Sequence, residues 1–370
     1  MIKRLLWLNG LAAVCAVINH AVVWELTAMF WWTDRFMPAG AFNMQAQFES
    51  WRFFSVRLID QLVFFAVFAF LFISGYFISI AAGRQQKTIP WMLVLQRVKF
   101  LLIPYLLWTA VILALNMVQG RSYTLGELVK TVLLGGASPP YYYVILAVQL
   151  YILSPLLVPL AREHWKALLA VTGLLQLISL AAYYIGLFHV DQGVFEPLLN
   201  LLRDWHLVGY AFWFVLGTVV GFHLRNFRDT LARQRWFLLI GTLLTFLVGF
   251  LEWGLIRQLS GREWISPQVI FFNRIFVLFL LLMYVAFDQA PIPLSSLFGK
   301  LGPKSYGIYL VHVIPLELTA RLMYHFTPAL LAYQAIYMPL LVLAGVGVPV
   351  IMMEVINRSF IRRYYKYIFG

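Results

Sequence analysis

The chain has 370 residues, of which 62% are hydrophobic and only 12% charged. Soluble globular domains carry about 25% charged residues, so the composition excludes an ordinary cytosolic enzyme, a disordered chain and a disulfide-stapled secreted domain. The lone Cys15, set in an apolar run, leaves no disulfide framework and no cysteine metal site, while the net charge of +13 must be explained by where the charges sit.

Most of the surface must face lipid. A bilayer core of about 30 Å needs roughly 20 apolar residues per helix. Ten stretches qualify, at about 5–23, 56–82, 98–118, 141–161, 165–187, 207–224, 234–255, 268–288, 304–325 and 331–355. They are continuous rather than alternating, which favours helices over a barrel, and helices satisfy their own backbone in lipid. The first follows Lys3 and Arg4 as a signal peptide would. However, bulky Trp24, Phe30, Trp31 and Trp32 come after it instead of a small-residue cleavage site, so it reads as a retained helix. The stretch 122–138, which includes Leu125–Leu134, is too short to span and is interrupted by Gly135, Gly136, Pro139 and Pro140; it reads as an interfacial or re-entrant piece. No loop is long enough for a soluble domain. The expectation is an all-α integral membrane protein, about ten helices in one bundle forming a single domain over 1–370.

The charge now divides. With a cytoplasmic N-terminus and alternating spans, the inner segments hold 18 of the 28 bases and four of the 15 acids, an inner balance of +14; the outer side takes the remaining ten bases and eleven acids, or −1. Cytoplasmic loops carry the excess of Lys and Arg in membrane proteins, so both termini are expected inside. Most of the basicity becomes an orientation signal, and nucleic acid is not an expected partner.

Ionisable groups at membrane depth are costly and usually mark function. Here they are His20 beside Asn19, with Glu25 five residues on; Asp60 and Gln61; Glu252; Arg274 with Asn273; and His312 and Glu317. His20 titrates in a range suited to proton transfer, although a satisfied structural histidine is the plain alternative. Tyr309 lies three residues before His312, on roughly the same helix face. Arg274 is expected to neutralise a buried acid such as Asp60, Glu252 or Glu317, or else to contact substrate. The remaining histidines sit at span ends. No HExxH, GxSxG or P-loop pattern occurs, and no metal site is expected.

Several segments together resemble the membrane-bound acyltransferase 3 family. Leu8-Asn9-Gly10-Leu11 running to Asn19-His20 is similar to its opening helix. Phe70-Leu71-Phe72-Ile73-Ser74-Gly75-Tyr76 resembles its SGF/Y signature, and Arg97-Val98-Lys99 leading to Pro104-Tyr105 resembles its basic cluster before Pro-Tyr. Tyr142 to Tyr151 and Ser154-Pro155-Leu156 resemble an aromatic-rich mid-chain helix, and Phe212-Trp213-Phe214-Val215-Leu216-Gly217 another. Lys304-Ser305-Tyr306-Gly307-Ile308-Tyr309-Leu310-Val311-His312 resembles the late SYxIYLxH motif. The six occur in order over nearly the whole chain. Two departures stand out: Asn9 occupies the position where the family commonly has an arginine, and Arg97 and Lys99 are two residues apart.

The resemblance implies an enzyme that moves an acyl group, foremost acetyl, from acyl-CoA to a hydroxyl of a sugar, glycan or lipid-linked acceptor, in a bacterial inner membrane. By it, His20 is the base that takes the hydroxyl proton. Asn19, Glu25 or Asp60 orients it. Arg84, Arg97 and Lys99 contact the phosphates of coenzyme A, and Ser74 and Gly75 let the thioester arm approach unless they serve helix packing. Tyr309, His312 and Arg274 contact the acceptor or the oxyanion. The competing class is a proton-coupled exporter of a glycan or lipid, for which buried His and Glu would couple protons; no inverted repeat or matched broken helices support it.

Overall fold

The computed structural model describes residues 1–83, 86–190 and 192–370. Among these there is no strand. The main helices are α1 (Ile2–Phe30), α2 (Trp51–Val63), α3 (Ala66–Ala82), α4 (Trp91–Val118), α5 (Leu125–Leu134), α6 (Tyr142–Glu163), α7 (Trp165–Leu187), α8 (His206–Arg233), α9 (Arg235–Ser260), α10 (Phe271–Ala286), α11 (Ser305–Val311), α12 (Val313–Phe326) and α13 (Gln334–Arg358).

Each of the ten apolar stretches is helical, but eight segments are long and apolar enough to cross a membrane: Ile2–Phe30, Trp51–Ala82, Trp91–Val118, Pro139–Glu163, Trp165–Leu187, Gly193–Arg233, Arg235–Ser260 and Gln334–Arg358. The other two fall short for visible reasons. Helix α10 has 16 residues, about 24 Å of rise against a core of about 30 Å. The stretch at 304–325 carries Lys304, Glu317 and Arg321 besides His312, and it runs from α11 into α12 with helical dihedrals at His312 (φ −55°, ψ −29°). The short piece within 122–138 is helix α5, Leu125–Leu134. Its start is a capping box between Thr124 and Glu127, and its end is Gly135 in the left-handed region at φ 74°.

Lipid explains the outward faces. Along α9, Trp236, Ile240, Leu243, Leu247, Leu251 and Leu255 are all more than half exposed. In water such a stripe would be an aggregation surface; in hydrocarbon it is the ordinary exterior.

The chain forms two compact units, each drawn from separated stretches. One comprises Met1–Leu5, Val67–Lys99 and Tyr142–Pro293; the other Leu6–Ala66, Phe100–Tyr141 and Leu294–Gly370. In the first, α9 runs against α10, and α8 against α7 and α6. Helices α3 and α8 meet backbone to backbone. A Cβ on Gly75 would lie 1.9 Å from the Phe214 carbonyl oxygen, one on Gly217 1.9 Å from that of Phe72, and one on Gly221 1.9 Å from Ser79 Oγ. Only glycine permits this approach, a form of packing that suits membranes, where dispersion rather than hydrophobicity holds helices together.

In the second unit, α13 packs on α11 and α12. Asn9 of α1 donates to the Ser305 hydroxyl at 2.6 Å and to the Gly302 carbonyl at 3.1 Å. Gly10 lets α1 pass against the Phe298 carbonyl, where a Cβ would stand 2.1 Å away. A neutral amide at position 9 thus ties the first helix to the start of α11.

Candidate active site

The second unit gathers most of the membrane-depth polar groups. Helix α2 carries Arg57, Asp60 and Gln61 three and four residues apart, one face of one helix, and all three are buried. Arg57 donates to Gln61 Oε1 at 2.7 Å and interacts electrostatically with Asp60. Asn19 of α1 donates to Asp60 Oδ1 at 2.6 Å. Next to Asn19 in the chain stands His20, half-buried, with its ring centroid 5.2 Å from that of His312 and the two planes inclined by 42°.

His312 is fully buried where α11 runs into α12. Its Nδ1 lies 2.7 Å from the Tyr309 carbonyl and 3.2 Å from that of Ile308. Carbonyls only accept, so Nδ1 carries the proton and Nε2 presents a lone pair. That Nε2 is buried and has no hydrogen-bond partner among the described residues. The ring is therefore set in one tautomer.

The motif before His312 is an anchoring device. The Tyr309 hydroxyl donates to the Pro140 carbonyl, while the Tyr141 hydroxyl donates back to the Leu310 carbonyl at 2.7 Å. The Tyr306 hydroxyl donates to the Leu101 carbonyl at 2.7 Å. A Cβ on Gly307 would meet Met353 Sδ at 2.7 Å. Ser305, Tyr306, Gly307 and Tyr309 hold α11 in place, and His312 is what the anchored helix delivers.

Glu25 is not in this group. It forms a buried ion pair with Arg52 at 2.6 Å, and Arg52 also donates to the Leu331 carbonyl at 2.6 Å. The carboxylate thus clasps α1 to the first turn of α2. Glu317 likewise pairs along its own helix with Arg321 at 2.8 Å.

In the first unit, Arg274 is buried with its guanidinium carbon 4.8 Å from the Phe68 ring centre and 4.6 Å from that of Tyr210, and it donates to the Gly209 carbonyl at 3.1 Å. Among the described residues it makes no ion pair. Around it, the hydroxyls of Tyr210 and Tyr142 donate to Gln268 Oε1 at 2.7 and 3.2 Å, and the His206 ring stacks on Tyr142 at 4.3 Å. The expected link between Arg274 and Glu252 is not made. Glu252 instead caps α10, accepting from the backbone N–H of Phe272 at 2.8 Å and Phe271 at 3.3 Å, and from the Tyr184 hydroxyl at 2.9 Å. A carboxylate at a helix N-terminus satisfies orphan donors and complements the dipole.

Arg97 lies half-buried over the Tyr151 ring at 5.8 Å, and Lys99 is exposed. Ser74 is half-buried beside Gly75, whose bare side is filled by the α8 backbone. Arg84 lies outside the described residues. Sequence reading passed over Arg57, Arg52 and the Tyr142–Tyr210–Gln268 group. Arg57 alone carried a usable signal, a base three residues before an intramembrane acid.

Fold and site together define a polytopic membrane protein with a histidine pair and a buried Asn–Asp–Arg network in its helices. The family model described as an acyltransferase domain, acyltransferase 3, matches residues 4–354. The chain belongs to this membrane acyltransferase family. No curated protein and no solved structure matches it.

Proposed function

We propose that the protein is an O-acyltransferase that moves an acyl group, foremost acetyl, from acyl-CoA to a hydroxyl of a sugar, glycan or lipid-linked acceptor, with its termini and its coenzyme A entry on the cytoplasmic side of a bacterial inner membrane. The observation that carries this reading is the half-buried His20 facing a fully buried His312 of fixed tautomer. An acyl transfer needs a base within reach of the acceptor hydroxyl, and His20 is the histidine of the pair with open surface.

In this reading His20 takes the hydroxyl proton as the oxygen attacks the thioester carbonyl. The carbon–sulfur bond then breaks, and the proton returns to the departing thiolate of coenzyme A. The lone pair at His312 Nε2 stabilises the imidazolium formed at His20. Asn19 and Asp60 fix the turn of α1 on which His20 stands, so their role is positioning. Arg84, Arg97 and Lys99 are the proposed phosphate contacts, arginine being suited to bidentate pairing, with half-buried Ser74 beside the donor arm, while Gly75 serves helix packing. Arg274 is the proposed acceptor contact, and Tyr309 acts by holding α11 in place. Arg274 also offers the carbohydrate-friendly combination of a cation, aromatic faces and hydroxyls.

The test is label transfer from radiolabelled acetyl-CoA to hydroxyl acceptors by the purified protein. General-base catalysis contributes about 10²–10⁴-fold, so His20→Ala should lower turnover by that order with an unchanged unfolding temperature. Undiminished transfer by His20→Ala, or no transfer to any hydroxyl by the native protein, overturns the reading.

A further inference from the structure

The first unit contains a cleft of about 690 Å³ to which Arg162, Arg225, Arg228, His223 and Asn226 contribute; among the described residues no acid lines it. It is separate from Arg97. On α6, Arg162 lies eleven residues beyond Tyr151, the residue under Arg97, about 16 Å further along the helix.

The cleft is built rather than incidental. Helix α8 is broken at His223, where φ is −105° and ψ 15°. The break is held by the His223 Nε2–H bond to the Ala161 carbonyl at 3.1 Å and by Trp165 packed on His223 and Phe227. Arg162 is fixed by donating to the Gly83 carbonyl at 2.8 Å and by lying 4.5 Å over Phe222. Arg228 is held by Asp288 at 3.0 Å. Arg225 and Asn226 are exposed and make no hydrogen bond among the described residues. The close contact of Gly221 with Ser79 forms the floor.

Of the three guanidiniums around the cavity, Arg228 is paired with Asp288, while among the described residues no acid lines the cavity beside Arg162 and Arg225, and arginine forks match phosphate oxygens bidentately. The volume lies within the usual span for small-molecule sites, roughly 300–1,000 Å³, far more than one phosphate fills. Tyr76, Ile80 and Phe222 supply apolar walls. The geometry points to a binding site for a ligand that carries two or more phosphates on an apolar or aromatic body. A soluble bisphosphate nucleotide and a diphosphate lipid headgroup share that chemistry. The cleft does not depend on the acyl-transfer reading.

The full chain in nanodiscs of zwitterionic lipid is titrated calorimetrically with adenosine 3′,5′-bisphosphate, and in parallel reconstituted with trace cardiolipin to measure lipid retention. Arg225→Ala should weaken binding about tenfold, the loss typical of one charge-assisted contact. Asn226→Glu, which places an acid in the cleft and removes no contact of the fold, should weaken it at least as much. Both variants should keep the native unfolding temperature without ligand. Bisphosphate binding with these losses assigns a soluble ligand, and cardiolipin retention with the same losses assigns a lipid; either supports the site. Binding of neither probe, or binding equal in all variants, overturns it. Because His20 and Arg97 are untouched, failure here leaves label transfer unaffected, and loss of transfer in His20→Ala leaves bisphosphate binding intact.

Discussion

Arg57 and Arg274 are both buried cations at membrane depth, and the protein accommodates them differently. Arg57 sits on one helix face with Asp60 and Gln61, and Asn19 ties Asp60 to α1. Its charge is balanced by an opposite charge. Arg274 is enclosed by the faces of Phe68 and Tyr210 and by one carbonyl, with hydroxyls nearby and no ion pair among the described residues. Opposite charges on one helix face form a closed arrangement whose members depend on each other. A cation between rings keeps charge available for something else, which suits a residue proposed to meet an acceptor.

The largest expected effect separates the two. Asp60→Leu leaves Arg57 without its acid and should cost about 3–5 kcal/mol of unfolding free energy in detergent. Arg57→Met combined with Asp60→Leu should recover most of that loss. If the double variant is no better than Asp60→Leu alone, the two side chains are not a coupled pair. Arg274→Met is expected to cost only about 1–2 kcal/mol, the worth of desolvated cation–ring contacts; a loss as large as that of Asp60→Leu would erase the distinction. Tyr210→Leu removes one ring and the hydroxyl on Gln268, and a smaller cost of about 1 kcal/mol is expected in the same unfolding experiment. The smallest effect lies outside the spans and offers a control in which water does the work. At the start of α5, hydrogen bonds from the Thr124 backbone and side chain hold the Glu127 carboxyl below its ordinary value of 4.5. A lowered folded value means stability that is present above that range and lost as pH falls through it. Amide protection in 125–134, corrected for intrinsic exchange, should therefore fall below about pH 4, with protection at Arg57 and Arg274 unchanged; Glu127→Gln should flatten that response.

Much of the fold was legible because lipid imposes a strong rule on sequence. All ten apolar stretches are helical, and α5 appears where it was expected. The anchoring of α11 was not legible, since nothing in the run from Ser305 to His312 says that the Tyr309 and Tyr141 hydroxyls meet carbonyls across the chain. The site was legible residue by residue but not as a set. His20, Asn19, Asp60 and His312 each stood out as polar groups in apolar runs, yet their meeting depends on helix packing that apolar sequence does not encode. Glu25 and Glu252 stood out for the same reason and have structural partners, Arg52 and the α10 N-terminus. A charge in a span signals that something must satisfy it, without saying whether that something is substrate or scaffold.

The three glycine contacts between α3 and α8 have a mechanical consequence. Helices whose backbones touch at Gly75 and Gly217, with Gly221 against the Ser79 side chain, cannot slide or roll past each other, because each glycine is a notch against the opposite helix. The pair behaves as a single rigid beam. Any opening that admits a ligand at the His223 end must then come from parts that are not notched, such as the stretch of α8 after its break, with the beam as the fixed reference against which it moves.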